Sequence, residues 1–334
     1  MNGRLEQENK ISNSINLMLD KMPEYVKDWQ YDLYARQFTA KTRKEYLVKI
    51  HKFLCYLNDD IKNIKISEIN KNNINRYIIF CQSIKNKYGD VVEASYSYIN
   101  GIYIALNNFC NYLTDVNYID PIKLSKPIRK NYESKRNKEI LTENDFNKIL
   151  DVAKNNNNVF YRWRDQAILA IFMTTGVRKG GLQAINIEDI NFDTHDLTVI
   201  DKGHKIHVYR LNDKVMNIIN EYLKYRKYYL RDHLDHSALF ISIQKVYGHE
   251  LIARLSEQAI TKVVETCTKK ALGKTMRPHQ LRAGYCSILY EKTGNIEFVR
   301  RAVGHSRVET TQRYIKVNEN ETREKAANLM EDFI

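Results

Sequence analysis

No apolar run in the sequence approaches the ~20 residues that a membrane-spanning helix needs. The opening residues, 1–10, carry no apolar stretch of the secretory kind. A soluble, cytoplasmic protein without membrane contact is therefore expected. Cysteine is sparse: Cys55, Cys81, Cys110, Cys267 and Cys286 are odd in number, widely spaced and free of any CxxC pair. That pattern excludes a disulfide framework and argues against a zinc site. Apolar neighbours around Cys55, Cys81 and Cys110 predict buried thiols there. There is no HExxH, and no close cluster of acids that would serve a two-metal nuclease. The stretch 271–275 ends like a phosphate-binding P-loop, but the leading glycine that such a loop requires is Thr268. No internal repeat is present. Acidic residues are also in deficit, with 40 Asp+Glu against 53 Lys+Arg and a formal charge of +13. Such an excess suits a polyanionic partner, because neutralising phosphates releases condensed counterions.

What is present begins with length. The 334 residues fit two domains of ordinary size. Residues 1–23 are polar with sparse apolar positions. From Thr39 the residues Tyr46, Ile50, Phe53, Leu54 and Leu57 recur at helical spacing, with Thr39 or Thr42 as a cap. A second helix is predicted over 67–86, capped by Ser67 with Ile69, Ile74, Tyr77, Ile78 and Cys81 inward. A third is predicted over 94–115 with Tyr98, Ile102, Leu106, Phe109 and Leu113 inward. Together they form a small all-α domain. Lys123, Lys126, Arg129, Lys130, Lys135, Arg136 and Lys138, with Pro121 and Pro127 beside them, read as an extended basic linker. A further helix starts after Thr142, whose following acids Glu143 and Asp145 suit the positive end of a helix dipole. Residues 163–174 are helical, and Gly176 ends that helix. Residues 197–200 and 206–209 alternate like strands around a turn of Asp201, Lys202, Gly203, His204 and Lys205. Helical patterns return over 213–230, 256–270, 279–292, 295–303 and 308–316.

Four clusters in the second half bear on chemistry: Thr175 to Leu182, Lys202 in the hairpin turn, Arg277 to Arg282, and Gly304 to Ser306 followed by Thr310 to Tyr314. Singly each is weak. An arginine after a helix is usually a surface ion-pair partner, a turn lysine is usually solvated, and Tyr314 is one of 23 tyrosines. Their order and spacing change the weighing. Arg178, then Lys202, then His279-x-x-Arg282, then Gly304-His305, then Tyr314 nine residues later resembles the tyrosine site-specific recombinase (phage integrase and Xer-like) family. The His279–Arg282 segment and the segment from Gly304 to Tyr314 are specific as a pair, whereas the first half matches only in pattern.

The resemblance implies a mainly α fold with a small antiparallel sheet. It divides the chain into an N-terminal extension (1–24), a helical core-binding domain (25–120), a basic linker (121–139) and a catalytic domain (140–334) ending in an exchange helix. The two domains would close as a C-shaped clamp on double-stranded DNA with an inverted-repeat core site. A dimer would form on each site and a tetramer in the synapse, through the C-terminal helix with Leu329, Met330, Phe333 and Ile334. The protein would then be nucleoid-associated in a bacterial cytoplasm. Lys41, Arg43, Lys126, Arg129, Lys130, Arg136 and Lys205 are candidate DNA contacts.

The chemistry follows the residue types. Two arginines can clamp the non-bridging oxygens of a phosphodiester while staying protonated, and Arg178 and Arg282 are the candidates. A tyrosine hydroxyl titrates near about 10, so Tyr314 needs a proton acceptor, for which His279 serves. The leaving 5′-oxygen needs a proton, which Lys202 supplies by family position; Lys205 is the neighbouring alternative. His305 corresponds to the position that donates to the phosphate and steadies the tyrosine. No cofactor, metal or ATP is implied. One departure stands out: where the family carries an acid three residues after the first arginine, this chain has Gly181. Two other readings stay open, a topoisomerase IB or telomere resolvase activity on the same scaffold, and a DNA-binding accessory protein with weakened catalysis.

Overall fold

The computed structural model describes residues 3–85, 89–128, 141–201, 205–230, 236–246, 249–312 and 314. The chain divides into two compact units, one of residues 5–136 and one of residues 137–334 together with 1–4.

The first unit is built on helices α1 (Gly3–Leu19), α2 (Glu24–Ala35), α3 (Ala40–Leu57), α4 (Lys71–Cys81) and α5 (Tyr96–Asp115), with a short hairpin of β1 (Ser83–Lys85) and β2 (Val91–Glu93). Side chains at spacings of three and four meet in one core: Leu47, Ile50, Phe53 and Leu54 from α3, Ile74 and Tyr77 from α4, and Ile102, Leu106, Phe109 and Leu113 from α5. Trp29 of α2 is fully buried among them, its ring 5.0 Å from Phe109. Its indole N–H donates to Asn108 Oδ1 at 2.9 Å, which satisfies the one polar atom that burial would strand. Oxygen caps start three of the helices: Thr39, Asn70 and Ser95 accept from the backbone N–H of Thr42, Asn73 and Tyr98.

Several sequence expectations shift here. Helix α4 starts at Lys71, not Ser67, because residues 66–68 form a separate 3-10 turn in which Glu68 accepts from the Lys65 N–H. The chain leaves helix after Cys81 to form the β1–β2 hairpin, a pairing of three exposed residues per strand. From the N-terminal extension, Ile15, Leu19 and Met22 enter the core. Leu124, placed in the linker by its basic neighbours, is buried in the same core. Cys55 lies exposed on α3, whereas Cys81 and Cys110 are buried as expected.

The second unit is centred on α7 (Val159–Thr175), whose Ile168, Leu169, Ile171 and Phe172 are fully buried. Around it pack α6 (Glu143–Lys154), α8 (Lys179–Ala184), α9 (Asp213–Leu230), α10 (Glu257–Leu272) and α11 (Pro278–Thr293). Helix α6 carries a capping box between Thr142 and Asp145. A three-stranded antiparallel sheet, in the order β3 (Ile190–Asn191), β4 (Asp196–Ile200), β5 (Ile206–Arg210), meets α8 through β4. On β4 Leu197 and Val199 are buried and their neighbours half-buried, the period-2 pattern of a sheet with one packed face. A second hairpin, β6 (Ile241–Val246) with β7 (His249–Arg254), was not anticipated from sequence. Two short helices, α12 (Ile296–Ala302) and α13 (Val308–Gln312), complete the described part of the unit. The fold is thus mainly α with small antiparallel sheets. No helix among the described residues is long and apolar enough to cross a membrane.

Candidate active site

The site is assembled at the ends of elements. Helix α7 stops at Gly176, whose φ of +61° is left-handed, and whose N–H donates to the Phe172 carbonyl at 2.9 Å. A Cβ at this position would stand 2.5 Å from the Tyr285 ring, so both backbone and space demand glycine. This sharp stop turns the Gly176 carbonyl toward α11, where the Arg282 guanidinium donates to it. It also places Arg178 at the N-cap of α8.

Arg282 is 3% exposed, and its Nη2 donates to the Val303 carbonyl at 2.8 Å. Burial, followed by the charge of Arg178, pulls its pKa below the usual arginine value. Arg178 stays partly open, its side chain 39% exposed, and pairs with the carboxylate of Asp201 at the end of β4. Asp201 closes the base of its hairpin by donating its backbone N–H to the Lys205 carbonyl at 2.7 Å.

His279 and Arg282 stand three apart in the first turns of α11, which gives them one helix face. His279 Nε2 lies 3.0 Å from the Tyr314 hydroxyl. Three contacts fix the tyrosine from behind. Its N–H donates to the Thr311 carbonyl at 2.9 Å. The Ser287 hydroxyl of α11 donates to its carbonyl. Its ring packs beside Cys286, Val299 and Val303.

His305 stacks on Tyr314, with ring centres 5.7 Å apart and planes 27° from parallel. It is 3% exposed, and its Nδ1 lies 2.9 Å from the hydroxyl of Thr311, which is itself fully buried. Burial first, then the charges of Arg282, Arg178, His279 and Arg300, pull the His305 pKa down to about 3, so the ring is neutral at physiological pH. Its backbone is set by Gly304, a left-handed residue with φ of +67°. The ring of His207 on β5 occupies the space beside Gly304, so that a Cβ there would fall 2.2 Å from it.

Among the residues singled out in the sequence, Tyr314, His279 and His305 meet directly, and Arg178 and Arg282 stand on the two sides of the Gly176 turn. Lys205 is exposed and donates to Ser306 beside His305 at 2.8 Å. Lys202 falls outside the described residues, as do Arg129, Lys130, Arg136 and the C-terminal helix. Lys41 and Lys126 are exposed. Arg43 is not a surface cation: it is 9% exposed, with its guanidinium 4.8 Å over the Tyr34 ring. The residues that sequence reasoning missed are Asp201, Thr311, Ser287 and His207. Ser287 and Thr311 touch Tyr314 from helices α11 and α13, His207 lies beside Gly304 from β5, and Asp201 meets Arg178 from the end of β4; only the position of Asp201 beside Lys202 marked any of them out.

Against known proteins, the pattern of the phage integrase family matches residues 139–321. The tyrosine recombinase XerC of Caldanaerobacter subterraneus subsp. tengcongensis is 28% identical over 320 residues, covering 93% of this chain and 83% of that protein. The tyrosine recombinase XerD of Staphylococcus epidermidis is 29% identical over 174 residues, and the match spans 55% of its length. Several solved structures share the fold. XerH site-specific recombinase bound to palindromic difH substrate has a TM-score of 0.57 at 18% identity, covering 86% of this chain and 78% of that one. A lambda integrase dimer bound to a core site has a TM-score of 0.52 at 18% identity, covering 87% and 93%.

Proposed function

The chain belongs to the phage integrase family of tyrosine recombinases, and on that premise we propose that it exchanges DNA strands at a specific site through Tyr314. The observation that carries this reading is the 3.0 Å contact between the Tyr314 hydroxyl and His279 Nε2, on the helix that also presents Arg282. A nucleophile within hydrogen-bond reach of a base, beside fixed positive charge, is what phosphoryl transfer to a weakly acidic hydroxyl requires.

In the forward step the Tyr314 oxygen forms a bond to the scissile phosphorus and its proton passes to His279. Arg178 and Arg282 hold the non-bridging oxygens, on which negative charge grows. Arg282 uses two of its N–H groups on the Gly176 and Val303 carbonyls, which leaves others for the phosphate. His305, neutral and held at Nδ1 by Thr311, directs its other nitrogen to the phosphate as a donor. The P–O5′ bond breaks, and Lys202 or the neighbouring Lys205 gives the leaving oxygen its proton. The product is a 3′-phosphotyrosine link with a free 5′-hydroxyl. Attack by the 5′-hydroxyl of another strand reverses the step, so the reaction conserves bond energy and needs neither ATP nor a metal.

The substrate is double-stranded DNA with inverted-repeat half-sites, met by pairs of protomers that join as a tetramer. XerH and lambda integrase, which share this fold, are described in complex with DNA, the latter as a dimer and as a tetramer. The C-terminal segment with Leu329, Met330, Phe333 and Ile334 joins protomers. A chain ending before Glu321 is accordingly expected to retain DNA binding and lose recombination; full recombination by that truncation would remove the segment from the assembly. The central test is a nicked duplex carrying the chain's own site, on which cleavage traps the enzyme. A covalent protein–DNA complex is expected, absent in Tyr314→Phe.

A further inference from the structure

The glycine at 181 leaves Arg178 without an acid on its own helix, yet an acid meets it. The Asp201 carboxylate accepts from Arg178 Nη1 across 23 positions of sequence. Asp201 has a side chain only 3% exposed, whereas that of Arg178 is 39% exposed. A charged group is rarely so buried unless a partner holds it there. The carboxylate therefore belongs to the site, and the guanidinium keeps an open side.

The space beside Gly181 explains why the acid can come from β4. A Cβ built at 181 would stand 3.2 Å from Asp201 Oδ1, 2.8 Å from Val199 Cγ1 and 3.2 Å from Val177 Cγ2. The volume that a side chain at 181 would enter is filled by the end of β4, and the Asp201 carboxylate borders it. A side chain at 181 and Asp201 in its present place compete for the same room. Charge points the same way. The charge of Arg178 disfavours that of Arg282, and Asp201 acts on Arg282 in the opposite sense. The backbone of Asp201 is tied by the 2.7 Å hydrogen bond to the Lys205 carbonyl, so the carboxylate is held by the sheet and not by a mobile side chain alone.

We propose that Asp201 is the positioning residue for Arg178, supplied by the strand end in place of an acid on α8, and that Gly181 is the residue that makes room for it. Asp201 holds one edge of the guanidinium so that the other meets the phosphate. It also offsets the repulsion between the two arginines before DNA arrives. The inference rests on the reading of Arg178 as a phosphate clamp.

The test uses the full chain and single-turnover formation of the covalent complex on the nicked duplex, with DNA affinity and melting temperature measured in parallel. Wild type must form the complex and Tyr314→Phe must not; failure there contradicts the reading of the whole site, not the role of Asp201. Asp201→Asn is expected to slow the covalent step roughly 10- to 100-fold, the effect usual for a group that orients a functional one, with affinity unchanged and the chain still fully folded at the assay temperature. Moving the acid, as Gly181→Glu with Val199→Ala and Asp201→Gly, is expected to recover most of that rate relative to Val199→Ala with Asp201→Gly alone. A wild-type rate in Asp201→Asn overturns the proposal. So does a rate loss accounted for by unfolding at the assay temperature, or a relocated acid that performs no better than its control.

Discussion

His305 sits in a setting that makes its protonation state a matter of folding as well as catalysis. The folded protein keeps the ring neutral down to about pH 3, whereas an unfolded histidine takes its proton near about 6.5. Above that value neither state binds the proton, and the group adds no pH dependence. Between the two values the unfolded state binds more protons, so stability falls as the pH is lowered, by up to about 1.4 kcal/mol per unit. Urea unfolding between neutral pH and pH 4 is expected to show this slope, reduced by nearly one proton in His305→Gln. An identical slope in the variant would mean that the ring is protonated in the folded state. The side chains gathered at the site, Arg178, His279, Arg282, His305 and Tyr314, were legible in the sequence because their order and spacing are specific. Asp201 was not, because nothing local to Arg178 points 23 positions along the chain. An acid at a hairpin turn is ordinarily read as a turn residue.

At the scale of elements, the site depends on how α13 is tied to the turn before it. The fully buried Thr311 links His305 Nδ1 to the residues that hold Tyr314, through its hydroxyl on one side and its carbonyl on the other. Thr311→Val keeps the shape and strands a buried nitrogen, which costs about 1–3 kcal/mol. The expected result is a lower denaturation midpoint together with slower covalent-complex formation at unchanged DNA affinity. A neutral effect on both would remove Thr311 from the support of the site. Helix interiors such as those of α3 and α5 were readable because their apolar spacing continues over many residues. The edges were less so. Ser67 and Asn70 are both good caps, and only the 3-10 turn at residues 66–68 decides between them. The β1–β2 hairpin has three exposed residues per strand, too short for alternation to register. Cys55 faces out although its neighbours in sequence are apolar, because a helix buries one stripe and exposes the rest.

At the scale of the whole molecule, each unit has its own apolar core, and a formal charge of +13 is spread over the chain. That charge calls for DNA binding that weakens steeply with salt, since each neutralised phosphate releases counterions. Lys126 is exposed, so Lys126→Gln is expected to weaken binding similarly for all sequences and to lower the slope of log affinity against log salt by about 1. Fluorescence anisotropy over a salt series measures this, and an unchanged slope would exclude Lys126 from the phosphate contacts. The β4–β5 hairpin was readable from the switch in period near residue 190. The core role of residues before 24 was not, because Ile15, Leu19 and Met22 are isolated apolar positions in a polar stretch.

The central claim is that Tyr314 becomes joined to DNA, and peptide mapping of the trapped complex tests it most directly. After nuclease and protease digestion, the account predicts a nucleotide remnant linked through its 3′-phosphate to the oxygen of Tyr314, and no adduct in Tyr314→Phe. A remnant on any other residue, or a covalent complex that persists in Tyr314→Phe, would contradict it.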